Sequence, residues 1–134
     1  MKKLLLPLGL FVATCLVASA QTVLFNITLN GANAGTGSSA TGSGTATLNT
    51  STHALTLSNI TYSGLGSNTT AAHIPGPLPG TGVLYDLVSR SLFTTGTTSG
   101  TINGSFNLVD GTSGYTFAQQ ETQLQSNQWY INIH

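Results

Sequence analysis

Val23, Phe25, Ile27 and Leu29 stand at alternate positions, with Asn26, Thr28 and Asn30 among the residues between them. Alternation at period two puts one set of side chains on one face of an extended chain, so Thr22 to Asn30 reads as a strand with one half-buried face. Leu24 is the apolar exception on the polar face. The same pattern recurs at short intervals: Ala46 and Leu48 within Gly44 to Asn49, and Val83, Tyr85 and Leu87 within Val83 to Val88. It returns with Ile102, Phe106 and Leu108 within Thr101 to Val109, and with Trp129, Ile131 and Ile133 within Gln128 to His134. In His53 to Tyr62 the pair Leu55 and Leu57 has the opposite parity to Ile60 and Tyr62, which predicts a β-bulge near Ser58 or Asn59. Thr70 to Ile74 is predicted to be a short strand stopped by Pro75-Gly76-Pro77. Gly31 to Ser43 has no large apolar residue and is predicted to be a loop. Phe117 to Gln125 breaks the alternation. It is built from Ala, Gln, Glu and Leu, and Phe117 and Leu124 lie on one helical face, so a short helix is expected there. Many short strands between turn signals predict an all-β protein, an antiparallel β-sandwich with one short helix near residues 117–125, in a single domain over residues 21–134.

The first twenty residues have a different character. Lys2 and Lys3 precede an apolar run from Leu4 to Val17, and Ala18-Ser19-Ala20 follows as a small-residue cleavage site. This is the pattern of a signal peptide over residues 1–20, cut between Ala20 and Gln21. The run is shorter than the roughly 20 apolar residues that a membrane span needs. The expected location is therefore secreted, periplasmic or at the cell surface. Cys15 is the only cysteine and leaves with the leader, so the mature domain has no disulfide and no thiolate chemistry.

Charged residues make up 4% of the chain, against about 25% in ordinary soluble domains. After Lys3 only Arg90 is basic. Binding to nucleic acid needs clustered cations to neutralise phosphates, so that partner is excluded. The acids of the chain are Asp86, Asp110 and Glu121. Asp110 suits a turn before Gly111, Glu121 an exposed helix face and Asp86 a solvated strand face. No two are neighbours in sequence, so hydrolysis by paired carboxylates has no local support. No catalytic residue and no cofactor is expected, and the chain reads as not an enzyme. Of the three histidines, His53 is expected at an exposed strand start. His73 and His134 are the candidate metal ligands if their strands come together.

Three segments carry a family resemblance. Leu29-Asn30-Gly31-Ala32-Asn33, followed by Ala40-Thr41-Gly42-Ser43-Gly44-Thr45-Ala46-Thr47-Leu48, is the first. Ile60-Thr61-Tyr62-Ser63-Gly64-Leu65 with Thr70-Ala71-Ala72-His73-Ile74-Pro75-Gly76-Pro77 is the second, and Gln128-Trp129-Tyr130-Ile131-Asn132-Ile133-His134 the third. In order and spacing they resemble the CHRD domain, the module named after chordin and found in many exported bacterial proteins. The resemblance spans essentially the whole mature chain and implies an immunoglobulin-like β-sandwich without a defined reaction. The chain departs from the pattern in three ways. Ala34 and Gly35 stand where an acidic residue and prolines are usual. Pro75 replaces the second histidine of a His-Ile-His signature. The sequence stops at His134, where the family continues into a Gly-Glu-Ile-Arg-Gly strand.

The expected function is a non-catalytic exported module that binds a protein or surface polymer or plays a structural part. The alternative is a copper- or zinc-binding protein using His73 and His134. A His-x-His pair would put two rings on one strand face within reach of one ion, and Pro75 removes that pair. The resemblance also implies a truncated member with an open sheet edge, and hence self-association or a strand borrowed from a partner.

Overall fold

The computed structural model describes residues 21–32, 36–78 and 82–134. The strands are β1 (Thr22–Asn30), β2 (Thr41–Asn49), β3 (Ala54–Ser63), β4 (Ala72–Pro75), β5 (Val83–Asp86), β6 (Gly100–Asn107) and β7 (Asn132–Ile133). The helix α1 (Phe117–Gln125) lies between β6 and β7 in the chain. β1-β2-β3-β6 form one antiparallel sheet and β5-β4-β7 a second. Leu48, Leu55, Ile60 and Ile102 from the larger sheet and Ala72, Ile74 and Tyr85 from the smaller belong to one buried core with Leu87. This is the all-β sandwich with one short helix that the alternation predicts.

The parity change in β3 is resolved by a bulge. Its register to β6 shifts between Leu57 and Ile60, and Asn59 has a φ of 48°. The Asn59 N–H donates to Asn103 Oδ1 at 2.6 Å, so the displaced backbone keeps a partner. Leu55, Leu57, Ile60 and Tyr62 are therefore all buried.

Four expectations about elements need correction. β2 begins at Thr41, not Gly44. Its glycines resemble loop composition but serve close packing: a Cβ on Gly44 would lie 2.5 Å from Ile60 Cα, and one on Gly42 2.2 Å from Thr61 O. β4 runs from Ala72 through Pro75 and does not stop before the proline. Pro75 sits at the strand end, where a missing N–H costs a single ladder bond, and its carbonyl still accepts from Tyr130 N–H at 3.4 Å. β5 ends at Asp86, and Val83 is exposed while Leu84 is buried, because the β4–β5 register shifts between Ile74 and Pro75. In Gln128 to His134 only Asn132–Ile133 is regular strand, and Trp129, Ile131 and Ile133 are half-buried.

The helix has the predicted bounds. Thr116 caps it, its hydroxyl accepting from Gln119 N–H while the Gln119 side chain receives the Thr116 N–H, which satisfies two end donors reciprocally. Asp110 Oδ1 accepts from Phe117 N–H at 2.9 Å. The helix is fixed to the sandwich by a buried amide. Gln120 is fully buried, and its Nε2 donates to Val109 O at 2.8 Å and Tyr115 O at 2.9 Å, while its Oε1 accepts from Tyr85 Oη at 2.6 Å. Two side chains expected to be exposed are half-buried here. His53 Nδ1 lies 2.9 Å from Glu121 Oε1, and its ring stacks on Phe117 with centroids 3.8 Å apart. The stack explains the departure, because docking α1 over the start of β3 covers both partners.

Candidate functional site

The two sheets differ by one strand, four against three. β1 is an edge of the larger sheet and β7 an edge of the smaller, and the groove between them holds about 980 Å³. Phe25, Ile27 and Leu29 line one side and Trp129, Ile131 and Ile133 the other. These are the residues that alternation assigns to the interior, yet each is only half-buried. Among the described residues no Lys, Arg, Asp or Glu lines the groove, and besides two tyrosines His134 is its one titratable side chain.

Trp129 is held in place before any ligand arrives. Its Nε1 donates to Gln123 Oε1 at 2.9 Å, and its ring is tilted against Tyr85 with centroids 5.7 Å apart. Gly76 lies so close that a Cβ there would meet Trp129 Cδ1 at 2.6 Å. Behind it, Tyr85 packs on Phe106 with centroids 4.9 Å apart, and the Arg90 guanidinium lies 4.8 Å from the Tyr85 ring and 4.7 Å from the Phe106 ring. A wall fixed by packing loses little side-chain entropy when it is covered.

The backbone of the same segment has one paired edge and one open edge. The N–H groups of Tyr130 and His134 donate to Pro75 O and Ala71 O, and Asn132 pairs with His73. In an antiparallel ladder successive residues turn their N–H and C=O groups to opposite edges. Those of Ile131 and Ile133 therefore point away from β4, to the side where the sheet order ends.

The candidate metal ligands do come together. His73 lies on the outer face of β4, between the buried Ala72 and Ile74. Its ring centroid is 4.8 Å from that of His134, and Asn132 Nδ2 is 3.1 Å from His134 Nε2. Asp86 is the residue directly across from His73 on β5. Its carboxyl is held below the ordinary aspartate range, first by the Ser89 N–H at 2.9 Å, which outweighs the opposing effect of burial, and then by the weaker effects of the Val88 N–H and the charge of His73. Among the described residues no three of His, Cys, Asp and Glu are grouped to hold a metal ion.

The acids are dispersed. Asp86 bonds the turn at Ser89, Asp110 the start of α1, and Glu121 pairs with His53. Glycoside hydrolysis needs two carboxyls on either side of one bond, and each of these three has its own local partner instead. The sequence reading missed Gln120 and Gln123. Gln120 follows Phe117 by three positions and precedes Leu124 by four, so helical spacing places it on the apolar face, but an amide is easily assigned to solvent. Ala20 and the rest of the expected leader lie outside the described residues. At Gln21 the carbonyl accepts from Thr50 N–H at 3.0 Å, so the sheet is engaged from that residue on. No helix among the described residues is long and apolar enough to cross a membrane.

The described residues form a two-sheet sandwich with dispersed acids and a groove lined by no Lys, Arg, Asp or Glu. The CHRD domain family matches residues 25–134, and the chain belongs to that family, whose members are extracellular, non-catalytic modules. No curated protein and no solved structure shows a significant similarity to the chain.

Proposed function

We propose that residues 21–134, exported by the leader and released by cleavage between Ala20 and Gln21, form a non-catalytic module that binds another extracellular protein through the groove between β1 and β7. The observation that carries this reading is the groove itself: about 980 Å³, uncharged, and walled by a fixed Trp129. Concave apolar sites with a few polar groups are where ligands bury most surface. Trp129 is the sole tryptophan, so its emission reports on the groove directly. A displayed library of random peptides, panned against the wild-type domain and counter-selected on Phe25→Asp, tests the reading. Enriched peptides should shift Trp129 emission and bind Phe25→Asp at least ~10-fold more weakly, a loss of about 1.4 kcal/mol. Peptides that bind both proteins equally, with the variant folded by circular dichroism, would place binding elsewhere. Intact mass of the exported chain checks the start at Gln21.

The proximity of His73 and His134 favours a second reading, a copper or zinc site. Two imidazoles supply half of a tetrahedral donor set. With Pro75 where a second strand-face histidine would stand, we predict no stoichiometric binding of either ion to purified protein. About one ion per chain, lost in His73→Ala, would establish the second reading instead.

A further inference from the structure

We infer that the outer face of the larger sheet is a second binding surface, and that its partner is an uncharged polysaccharide presented as extended chains. The surface is the side of β1-β2-β3-β6 turned away from the core, and it is separate from the groove.

The face is set by the strand register. Thr47 on β2 stands across from Leu24 on β1 and Thr56 on β3, and Thr56 stands across from Ser105 on β6. A second row, Thr28, Ser43, Thr61 and Thr101, crosses the same four strands. All of these residues are exposed or half-exposed. The other outward positions of the four strands are Thr, Ser or Asn, except Ala54. Neighbouring strands are about 4.8 Å apart and alternate residues about 6.8 Å apart. Hydroxyls and carboxamides therefore recur in two dimensions over a face of about 14 Å by about 30 Å.

Three properties of this face select the partner. The first is charge. Asp86, Arg90, Asp110 and Glu121 are the charged side chains of residues 21–134, and all lie outside the four strands. An anionic or cationic polymer finds no counter-charge here. The second is the lack of anchors. No aromatic ring points outward from these strands, and aromatic side chains buried in pockets are what anchor protein interfaces. The third is free hydrogen-bonding capacity. Thr61 Oγ1 donates to Ser43 O at 3.3 Å. The hydroxyls of Thr28, Thr47, Thr56, Thr101 and Ser105 bond no protein group among the described residues.

Each such hydroxyl is one donor and two acceptors. An apolar cover, from this chain or from another, would desolvate the whole array without partners. Whatever meets the face must therefore bring uncharged donors and acceptors at short intervals. The hydroxyls of a neutral polysaccharide do so, and the exposed Leu24 offers an apolar contact to the C–H side of a sugar ring. A hydrogen bond exchanged with water contributes little by itself. A monosaccharide is thus held weakly, and an extended chain that spans several rows is held by their sum.

The test is co-sedimentation of residues 21–134 with microcrystalline cellulose, chitin and starch granules. Binding to at least one is expected, constant within about two-fold between about 0.05 M and about 0.5 M salt, because no ion pair contributes. Thr47→Lys and Thr47→Glu each put a charge in the middle of the array, and each should weaken that binding at least ~10-fold. Thr95→Lys, in the exposed loop before β6, should leave it within about two-fold. Ser105→Lys and Ser105→Glu, in the same row but more exposed, give the same readout if a Thr47 variant does not fold by circular dichroism. Binding to none of the three polymers overturns the inference. It is also wrong if Lys strengthens binding where Glu weakens it, which marks an anionic surface. Binding that no charge on the face alters places the polymer elsewhere and overturns it as well.

Discussion

Gln120 shows how one side chain ties the helix to β5 and to the chain that follows β6. Its amide is fully buried and satisfied by Val109, Tyr115 and Tyr85, and Tyr85 Oη in turn accepts from Val109 N–H at 3.0 Å. Buried amides are tolerated only when paired, so Gln120→Leu, similar in volume but without donors, should cost about 2 kcal/mol in urea unfolding. An unchanged midpoint would mean that the amide is dispensable. Asp86 gives the pH counterpart. Its folded pKa is lowered mainly by Ser89 N–H, so its contribution is complete above the ordinary aspartate pKa and is lost as pH falls through the lowered value. The carboxylate is exposed, and the contribution is accordingly small. Asp86→Asn should flatten the fall in Tm between about pH 6 and about pH 2; a steeper fall would contradict the assignment. At this scale the sequence was legible where a residue type has one plausible use, as with Asp110 at its turn. It was misleading for Glu121 and His53, whose mutual pairing and stacking on Phe117 depend on where α1 docks.

Elements followed the alternation closely where side chains are large. β1 and β3 lie where Val23 to Leu29 and Leu55 to Tyr62 place them, β6 ends at Asn107, two residues short of the expected Val109, and the parity change in β3 correctly located the bulge. β2 was under-read because Thr41-Gly42-Ser43-Gly44 has the composition of a loop. In the fold those glycines let β2 approach β3, and Gly44 is opposite the bulge. Gly44→Ala, whose Cβ would lie 2.5 Å from Ile60 Cα, should destabilise the domain by about 1–3 kcal/mol. A thermal melt within about 1 °C of wild type would show that the strands move apart without cost. Proline in β4 was misjudged for a different reason. The rule that Pro ends a strand concerns strand interiors, and Pro75 is at the end of a short one, beside a register shift.

The whole molecule holds the least legible feature. Alternation names Phe25, Ile27, Leu29, Trp129, Ile131 and Ile133 as interior, and they do face the interior side. That they remain half-buried follows from the mismatch between the two sheets, which only the strand order reveals. The CHRD sandwich of this chain thus has a closed side, around Tyr85, Ile60 and Ile102, and an open side between β1 and β7. Open edges exchange amide hydrogens readily, while ladder bonds in a core protect them. Native-state hydrogen exchange on residues 21–134 as a monomer tests the open side most directly. The amides of Ile131 and Ile133 should exchange at least ~10-fold faster than those of Asn132 and His134, which face β4, and should become protected when the groove is filled. Slow exchange at Ile131 and Ile133 in the unliganded monomer, equal to that at Asn132 and His134, would mean that the edge is already paired and that the groove is closed.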